Sequence, residues 1–598
     1  MIRLSNFKHF FPIFILFSLI GGCAKVGSPS GGPLDRTPPE VVRSIPPSGT
    51  TNFTDKKIII TFNEFIQLNE INQKFMVSPP MDNLPELRLK GKNLEITYED
   101  DLRENTTYTF YFQDAIRDLN EGNPIDNYSF VFSTGPALDS LTVTGNVLKA
   151  YDLNPPEDVM AMLYSDLSDS AFIKKVPDYI SRVDENGYFR IDNIREGFYR
   201  IYALKDVDNS KNYNLPDEEI AFLDTVLNVN VTNNYLPLFS GEQAVSISGE
   251  EVDTIIPTGD HKLILFKPFI KNYYLTSSLR NEAYKLSYTL SVPPDTIGFS
   301  FSLPGADEDS YFIEESRKKD TLVVWLKDST IYSQPIINTV IRYPFSDTSG
   351  AVIQREDTVK LRYISPRTVR GKQTPAPYRF TSSVSGGTVI PGKDIIFSSP
   401  TPFREPDTTK IRLFHLKDEG QINLPYIIKK DTLNSCRIYF NAEMLPGEEY
   451  LFIAFNEAFG DIYGAKSDST GIKIRVRENS SFGKLIVNVQ NHVGKRIIQL
   501  LSSDETIARE VKMDEDGKAE FPLLNKGLYR MRIIYDLNGD GEWTTGDYSA
   551  RRQPEPVSFM PREIEVMENW ENELYWNVAL KNVKKFRIEK PVSSGRRR

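Results

Sequence analysis

Cysteine is nearly absent from this chain. Only Cys23 and Cys436 occur in 598 residues, so no internal disulfide framework can be built and stability must come from burial and backbone pairing. Histidine is almost as scarce, at four. His9 lies in an apolar leader, and His261, His415 and His492 are far apart in sequence, which reads as three unrelated side chains rather than a metal or catalytic set. There is no basic surplus: the net charge is -10, which argues against nucleic acid as a partner because phosphate binding wants a basic surface. Beyond the leader, no apolar run reaches the roughly 20 residues a membrane-spanning helix needs. G-x-S-x-G, H-E-x-x-H, P-loop and paired CxxC patterns are missing as well. The 81 acidic residues create close carboxylate pairs by chance alone, so acid pairs by themselves do not mark a glycosidase.

What the sequence has in quantity is alternation. Leu94, Ile96 and Tyr98 are separated by Glu95 and Thr97; Tyr108, Phe110 and Phe112 form a second set; Ile472, Ile474 and Val476 alternate with Lys473, Arg475 and Arg477. Period-2 patterning puts apolar side chains on one sheet face. The runs are short and are separated by Gly, Pro, Asn and Asp, which predicts an all-β chain of tandem antiparallel sandwiches, arranged as beads on a string. Helix signals are few; Asn63–Asn72 is the best, and it predicts a brief helical turn.

The chain also repeats itself. DENGYFRIDNIREGFYRIYALKD (184–206) aligns without a gap to DEDGKAEFPLLNKGLYRMRIIYD (514–536), matching Gly187 with Gly517, Gly197 with Gly527 and Tyr199 with Tyr529. This reads as a hairpin: a tight turn at the first Gly, a strand, a second Gly turn, and a strand carrying the Tyr. The second copy departs at Ala519, where the first has Phe189. A looser pair is DLRENTTYTFYFQDAIRDLNEG (101–122) with EMLPGEEYLFIAFNEAFGDIYG (443–464), which aligns Tyr108 with Tyr450 and Phe110 with Phe452.

The amino terminus supplies an address. Arg3 and Lys8 precede an apolar run, Phe10 to Ile20, followed by Gly21, Gly22 and Cys23. A basic start, a short apolar core and small residues describe a secretory signal. Ile20-Gly21-Gly22-Cys23 resembles the bacterial lipobox, which implies that Cys23 is acylated and becomes the first mature residue, anchored by its acyl chains. The Gly/Ser/Pro stretch after it reads as a flexible tether.

TPPEVVRSIPPSGT (37–50) and FVFSTG (130–135) resemble the bacterial Ig-like domain of Bacteroidota lipoproteins. The 184–206 unit resembles the prealbumin-like (transthyretin-like, Cna B-type) sandwich of bacterial surface proteins. These resemblances imply a signal peptide at 1–22, a tether at 23–37, an Ig-like domain at 38–136 and a prealbumin-like domain at 140–240. A middle β-sandwich at 241–375, a second Ig-like domain at 376–478, a second prealbumin-like domain at 480–580 and a basic tail at 581–598 would follow.

One stretch has the spacing of a calcium loop. In YDLNGDGEWTTGD (535–547), Asp536, Asn538 and Asp540 take positions 1, 3 and 5, Gly541 takes the sharp turn at 6, the Glu542 carbonyl takes 7, and Thr544 and Asp547 take 9 and 12. Asp at position 12 departs from the usual bidentate Glu, and the flanks read as strands, so the expected role is a structural clamp of modest affinity, about 10⁻⁴–10⁻³ M as in extracellular modules. The alternative is a polar connection built on Asx turns. DVDNSKNYNLPD (206–217) stands in the same place in the first copy, with Asp206, Asp208, Ser210, Asn212 and Asp217 at similar steps and Lys211 in place of the Gly.

The function these features predict is non-catalytic: an outer-membrane lipoprotein acting as scaffold, adhesin or accessory module of an envelope assembly. Its partners would be the membrane, through the N-terminal lipid, and envelope or outer-membrane proteins. The alternative is a carbohydrate-binding lipoprotein that stacks Trp543, Trp570 or Trp576 on sugar rings, with glycans as partners. Against each Trp stands plain core packing. The basic tail is either a solvated end or a contact for anionic headgroups or an acidic partner.

Overall fold

In a computed structural model of the chain, residues 35–230, 260–269, 271–294, 297–347, 351–364, 378–418, 420–491, 494–513 and 517–578 are described. Cys23, most of the tether, His492 and the basic tail lie outside them. Among the described residues the regular secondary structure is almost entirely β-strand, and no helix is long and apolar enough to cross a membrane. It divides into two compact units. One holds residues up to Leu265 except Ala150–Leu153, and the other holds that turn and everything from Phe266 onward.

The first unit contains two sandwiches. In the Ig-like part, Val41–Ile45, Lys57–Phe62, Glu86–Lys90 and Asn93–Thr97 form one sheet, and Met76–Ser78, Thr107–Gln113 and Tyr128–Ser133 form the facing one. The alternation foreseen in the sequence fills the space between them: Ile58, Ile60, Leu94 and Ile96 from one sheet meet Phe110, Phe112, Phe130 and Phe132 from the other, and all are essentially unexposed. The expected helical turn at 63–72 is smaller than predicted. Ile66–Leu68 is captured as a strand by Ile116–Asp118, Glu70 adopts a left-handed φ of 50°, and only Ile71–Lys74 is helical.

In the second sandwich, which holds the 184–206 repeat, Leu141–Lys149 pairs with Tyr188–Ile194, while Gly197–Lys205 pairs with Met160–Tyr164 in the opposite sheet. The expected hairpin is therefore not a hairpin. The turn at 195–196 carries the chain across the core, because Phe189, Ile191 and Ile194 on one side and Tyr199, Ile201 and Ala203 on the other must face each other. His261–Leu265 then joins Leu141–Lys149 in parallel, which carries this sandwich past residue 240.

The second unit holds three sandwiches. The middle section packs Leu275–Glu282, Lys285–Leu290, Tyr311–Glu315 and Thr321–Leu326 against Ser300–Ser302, Ile336–Ser346 and Val352–Arg362, around Leu286, Tyr288, Val324 and Ile341. The last two strands form an eleven-residue antiparallel ribbon, whose outer member ends the sheet and is exposed over most of its length. Two further sandwiches follow, cored by Phe397, Phe440, Phe452 and Phe459 and by Leu485, Leu500, Met531 and Val566.

The repeats are visible in atomic detail. The Tyr108 hydroxyl accepts the Arg103 N–H at 2.9 Å, and the Tyr450 hydroxyl accepts the Leu445 N–H at 2.7 Å, each reaching back five residues. Tyr199 donates to the Arg195 carbonyl and Tyr529 to the Asn525 carbonyl, at 2.9 and 2.8 Å, each reaching back four. The mismatch at Ala519 has a partner. In the first copy Phe189 lies opposite Gly145; in the second, Ala519 lies opposite Val487. A Cβ on Gly145 would sit 2.4 Å from the Phe189 ring. Volume lost on one strand is regained on its neighbour, the kind of exchange that keeps a core at native density.

Candidate functional site

Both Asp-rich loops leave the strand that carries the repeat tyrosine, and both fold back on a buried glutamate. In the first loop, Asp206 accepts the Ser210 and Lys211 amides through its two oxygens, at 3.1 and 2.8 Å. Asp208 accepts the Ser210 amide and the Asn214 side chain at 3.0 and 2.9 Å. Glu218, fully buried, accepts the amides of Val207, Asn214 and Leu215. One oxygen from each of Asp206, Asp208 and Glu218 lies within 4.8 Å of the others. Burial pushes the Asp206 carboxyl up, with Glu218 adding to the effect against the Lys211 and Ser210 amides. The Asn214 and Ser210 bonds hold Asp208 down. Three carboxylates so close repel unless a proton or a cation sits among them. Asp217, expected at the closing position, gives way to its neighbour Glu218.

In the second loop, Asp536 is buried and accepts the Gly539 and Gly541 amides at 2.6 and 2.9 Å. Gly541 takes the sharp turn with φ +77°, as the spacing required. Asn538, Asp540 and Thr544 interlock: the Asn538 amide donates to Asp540 and Thr544, and the Thr544 hydroxyl to Asp540. Glu542 contributes its amide to Asp540.

Asp547 stands apart from this group. It accepts from Ser549 and the Ala550 amide, and its backbone pairs with Arg552. The closing acid is Glu555, which accepts the amides of Leu537, Asn538 and Thr544. It lies 19 residues after Asp536, where no fixed-length loop template looks; only its match to Glu218 reveals it. Against this loop lie the Lys512 and Lys495 ammonium groups, at the positions that Cβ atoms on Gly541 and Gly539 would approach. The convergent carboxylates thus belong to the first loop, while in the second an Asn and two lysines lower the negative charge.

The other candidates scatter. Trp576 is buried in the core and Trp543 donates to the Glu555 carbonyl at 3.0 Å; of the three, Trp570 alone is largely exposed, at 62%. His415 stacks on Tyr450 and pairs with Glu448 at 3.0 Å. His261 begins a strand, and burial lowers its pKa.

The second unit also has a cleft of about 550 Å³ between its first two sandwiches, lined by Glu282, Lys285, Glu314, Trp325, Cys436 and Arg437. Glu314 spans it, accepting the Trp325 indole N–H at 3.0 Å and the Ser435 amide at 2.7 Å. Burial, with Glu314 adding to it, pushes the Cys436 thiol up to about 12, which makes it a poor nucleophile at neutral pH.

A search of curated proteins returned no match to the chain. Among solved structures, it is similar to the Bacillus anthracis TIE protein (11% identity, 51% of this chain and 57% of that one, TM-score 0.12). It is also similar to a fragment of native alpha-2-macroglobulin from Escherichia coli spanning domains MG0-NIE-MG1 (11%, 48% and 96%, 0.17) and to the major pilin subunit of Bacillus cereus (9%, 73% and 99%, 0.12). The chain spans little more than half the length of the first. Residues 35–134, whose two facing sheets were described above, match the bacterial Ig-like domain family.

Proposed function

We propose that the protein is a non-catalytic outer-membrane lipoprotein, acylated at Cys23, that serves as a scaffold, adhesin or accessory subunit of an envelope assembly. The observation that carries this reading is the repetition itself. An Ig-like and a prealbumin-like sandwich occur twice, with the same tyrosine-to-backbone bonds in each copy. Duplicating whole modules multiplies outer faces and sheet edges, the surfaces through which β modules meet other chains. The first Asp-rich loop serves this role as a calcium clamp that pins the strands leaving its sandwich core, closed by Glu218, and the second, closed by Glu555, holds the cation more weakly. Recovery of outer-membrane proteins from detergent-solubilised membranes, with protease shaving of whole cells in parallel, tests the reading. Recovery of no envelope protein, or a mature chain without acyl groups, would remove it.

A carbohydrate-binding role has one observation in its favour: Trp570, just before the final strand, and Tyr575, on it, expose 62% and 63% of their surface. Glycan-array binding lost on Trp570→Ala would select this reading over the first.

A further inference from the structure

Each of the four repeated sandwiches closes in the same way. A segment near its start, the first strand in the prealbumin-like pair and the stretch after the first strand in the Ig-like pair, lies beside its last strand, and the two run parallel. In the first Ig-like sandwich, Gly49 donates to Val131, Ser133 to Thr50 and Phe53 to Ser133 at 2.7–3.0 Å, with Thr50 and Phe132 paired in parallel. In the second, Thr388–Val389 runs parallel to Arg475–Val476, flanked by bonds from Arg475 to Gly387 and from Arg477 to Val389 at 2.8 and 3.0 Å. In the first prealbumin-like sandwich, Gly145–Lys149 pairs in parallel with His261–Leu265. In the second, Lys484–Gln490 pairs in parallel with Glu571–Asn577 over seven positions, extended by Lys484 N–H to the Trp570 carbonyl and Val578 N–H to the Gln490 carbonyl.

The geometry has a mechanical meaning. Tension applied through the chain draws the start of a domain backward and its end forward. If those two segments are parallel neighbours, they must slide past each other, and all the evenly spaced bonds of the ladder are strained together. If the end strands instead lie antiparallel to their neighbours and start at the same end, the bonds open one at a time. The middle sandwich lacks the parallel closure. Its first strand, Leu275–Glu282, and its last, Val352–Arg362, are each paired antiparallel to their chain neighbours, and no parallel pairing joins them among the described residues.

We propose that the chain withstands tension along its length, with the four parallel closures as clamps and the middle sandwich as the element that yields first. This property belongs to the individual domains. It does not depend on where the chain is anchored or what it touches, so failure of the lipoprotein reading leaves it standing.

Single-molecule pulling on the full chain, with Cys23 and Cys436 replaced by serine, tests it. Handles at Ser480→Cys and at the C-terminus strain the last prealbumin-like domain through its parallel ladder. Handles at Ser480→Cys and Lys526→Cys open the same domain from the end where Gly483 faces Leu524. Forced unfolding reports the unfolding rate. The first geometry is expected to require a severalfold higher force, and equal forces in the two would overturn the proposal. A second comparison separates clamp strength from stability. Lys484→Pro removes one ladder donor at a strand start, where proline is tolerated, and is expected to raise the unfolding rate under tension severalfold. Ile498→Val, in the opposite sheet, is expected to change it less than twofold. The same response from both variants would also overturn the proposal.

Discussion

The exchange of Gly145 and Phe189 for Val487 and Ala519 gives a quantitative test of how the cores of the two repeated sandwiches that carry them are filled. In the second copy, Val487 and Ala519 are both almost completely buried and face each other across adjacent strands. Ala519→Phe forces a ring into space that Val487 occupies. Overpacking of a close-packed core typically costs about 1–3 kcal/mol. Val487→Gly alone removes a buried side chain, about 1.5–3 kcal/mol, and loosens the strand by a further ~0.5–1 kcal/mol. Together the two changes recreate the first copy's arrangement, in which the ring covers the bare glycine. The double variant should therefore fall short of the summed cost by at least about 1 kcal/mol, within the range seen for contacting pairs. Native-state hydrogen exchange on the full chain reads this domain by domain, through peptides covering 483–490 and 517–524. Each ~1.4 kcal/mol corresponds to a tenfold change in opening equilibrium. Costs that simply add in the double variant would refute the compensation argument.

Calcium at 10 mM should stabilise the sandwich that carries Asp206 and Glu218 by about 1.4 kcal/mol if its dissociation constant is ~1 mM. The gain should vanish in Glu218→Gln, with a smaller or no effect in Glu555→Gln; thermal melts with calcium and with chelator check this. Tyr108→Phe and Tyr450→Phe should each cost about 0.5–1.5 kcal/mol, read as faster exchange in their own Ig-like domain and no change in the other. Asp118 accepts four backbone amides, from Asn120, Glu121, Gly122 and Asn123. Burial pushes its carboxyl up but those bonds outweigh it, so it ionises below the usual range. Its contribution is complete above the unfolded-state value near 4 and is lost as pH falls below it; exchange protection over 118–125 should hold at pH 5 and decline towards pH 3. At pH 8, Cys436, raised to about 12, should react with maleimide on the order of 10³-fold more slowly than a free thiol.

Most of the fold was legible because its signals are local. Alternation at 94–98, 108–112 and 472–476 names the strands and the buried face, and the structure uses them so. The 184–206 repeat was visible for the same reason, but its geometry was not. Whether strands on either side of Gly197 pair together or face each other across a core depends on partners in Leu141–Lys149 and Met160–Tyr164, which no local window contains. Half of each Asp-rich loop could be read from spacing. The closing glutamates could not, because Glu218 and Glu555 follow Asp206 and Asp536 at different distances, and only their shared bonds to backbone amides make them equivalent. Lys495 and Lys512 reach the second loop from outside it.

The outer strand of the long ribbon, Val352–Arg362, leaves a run of backbone groups without a neighbouring strand among the described residues, the feature that lets proteins zip into fibres when packed closely. Here Arg355, Glu356, Asp357, Lys360 and Arg362 stud that border, and mixed charges at a sheet margin discourage copies from joining edge to edge. Many such molecules could crowd together and remain separate individuals.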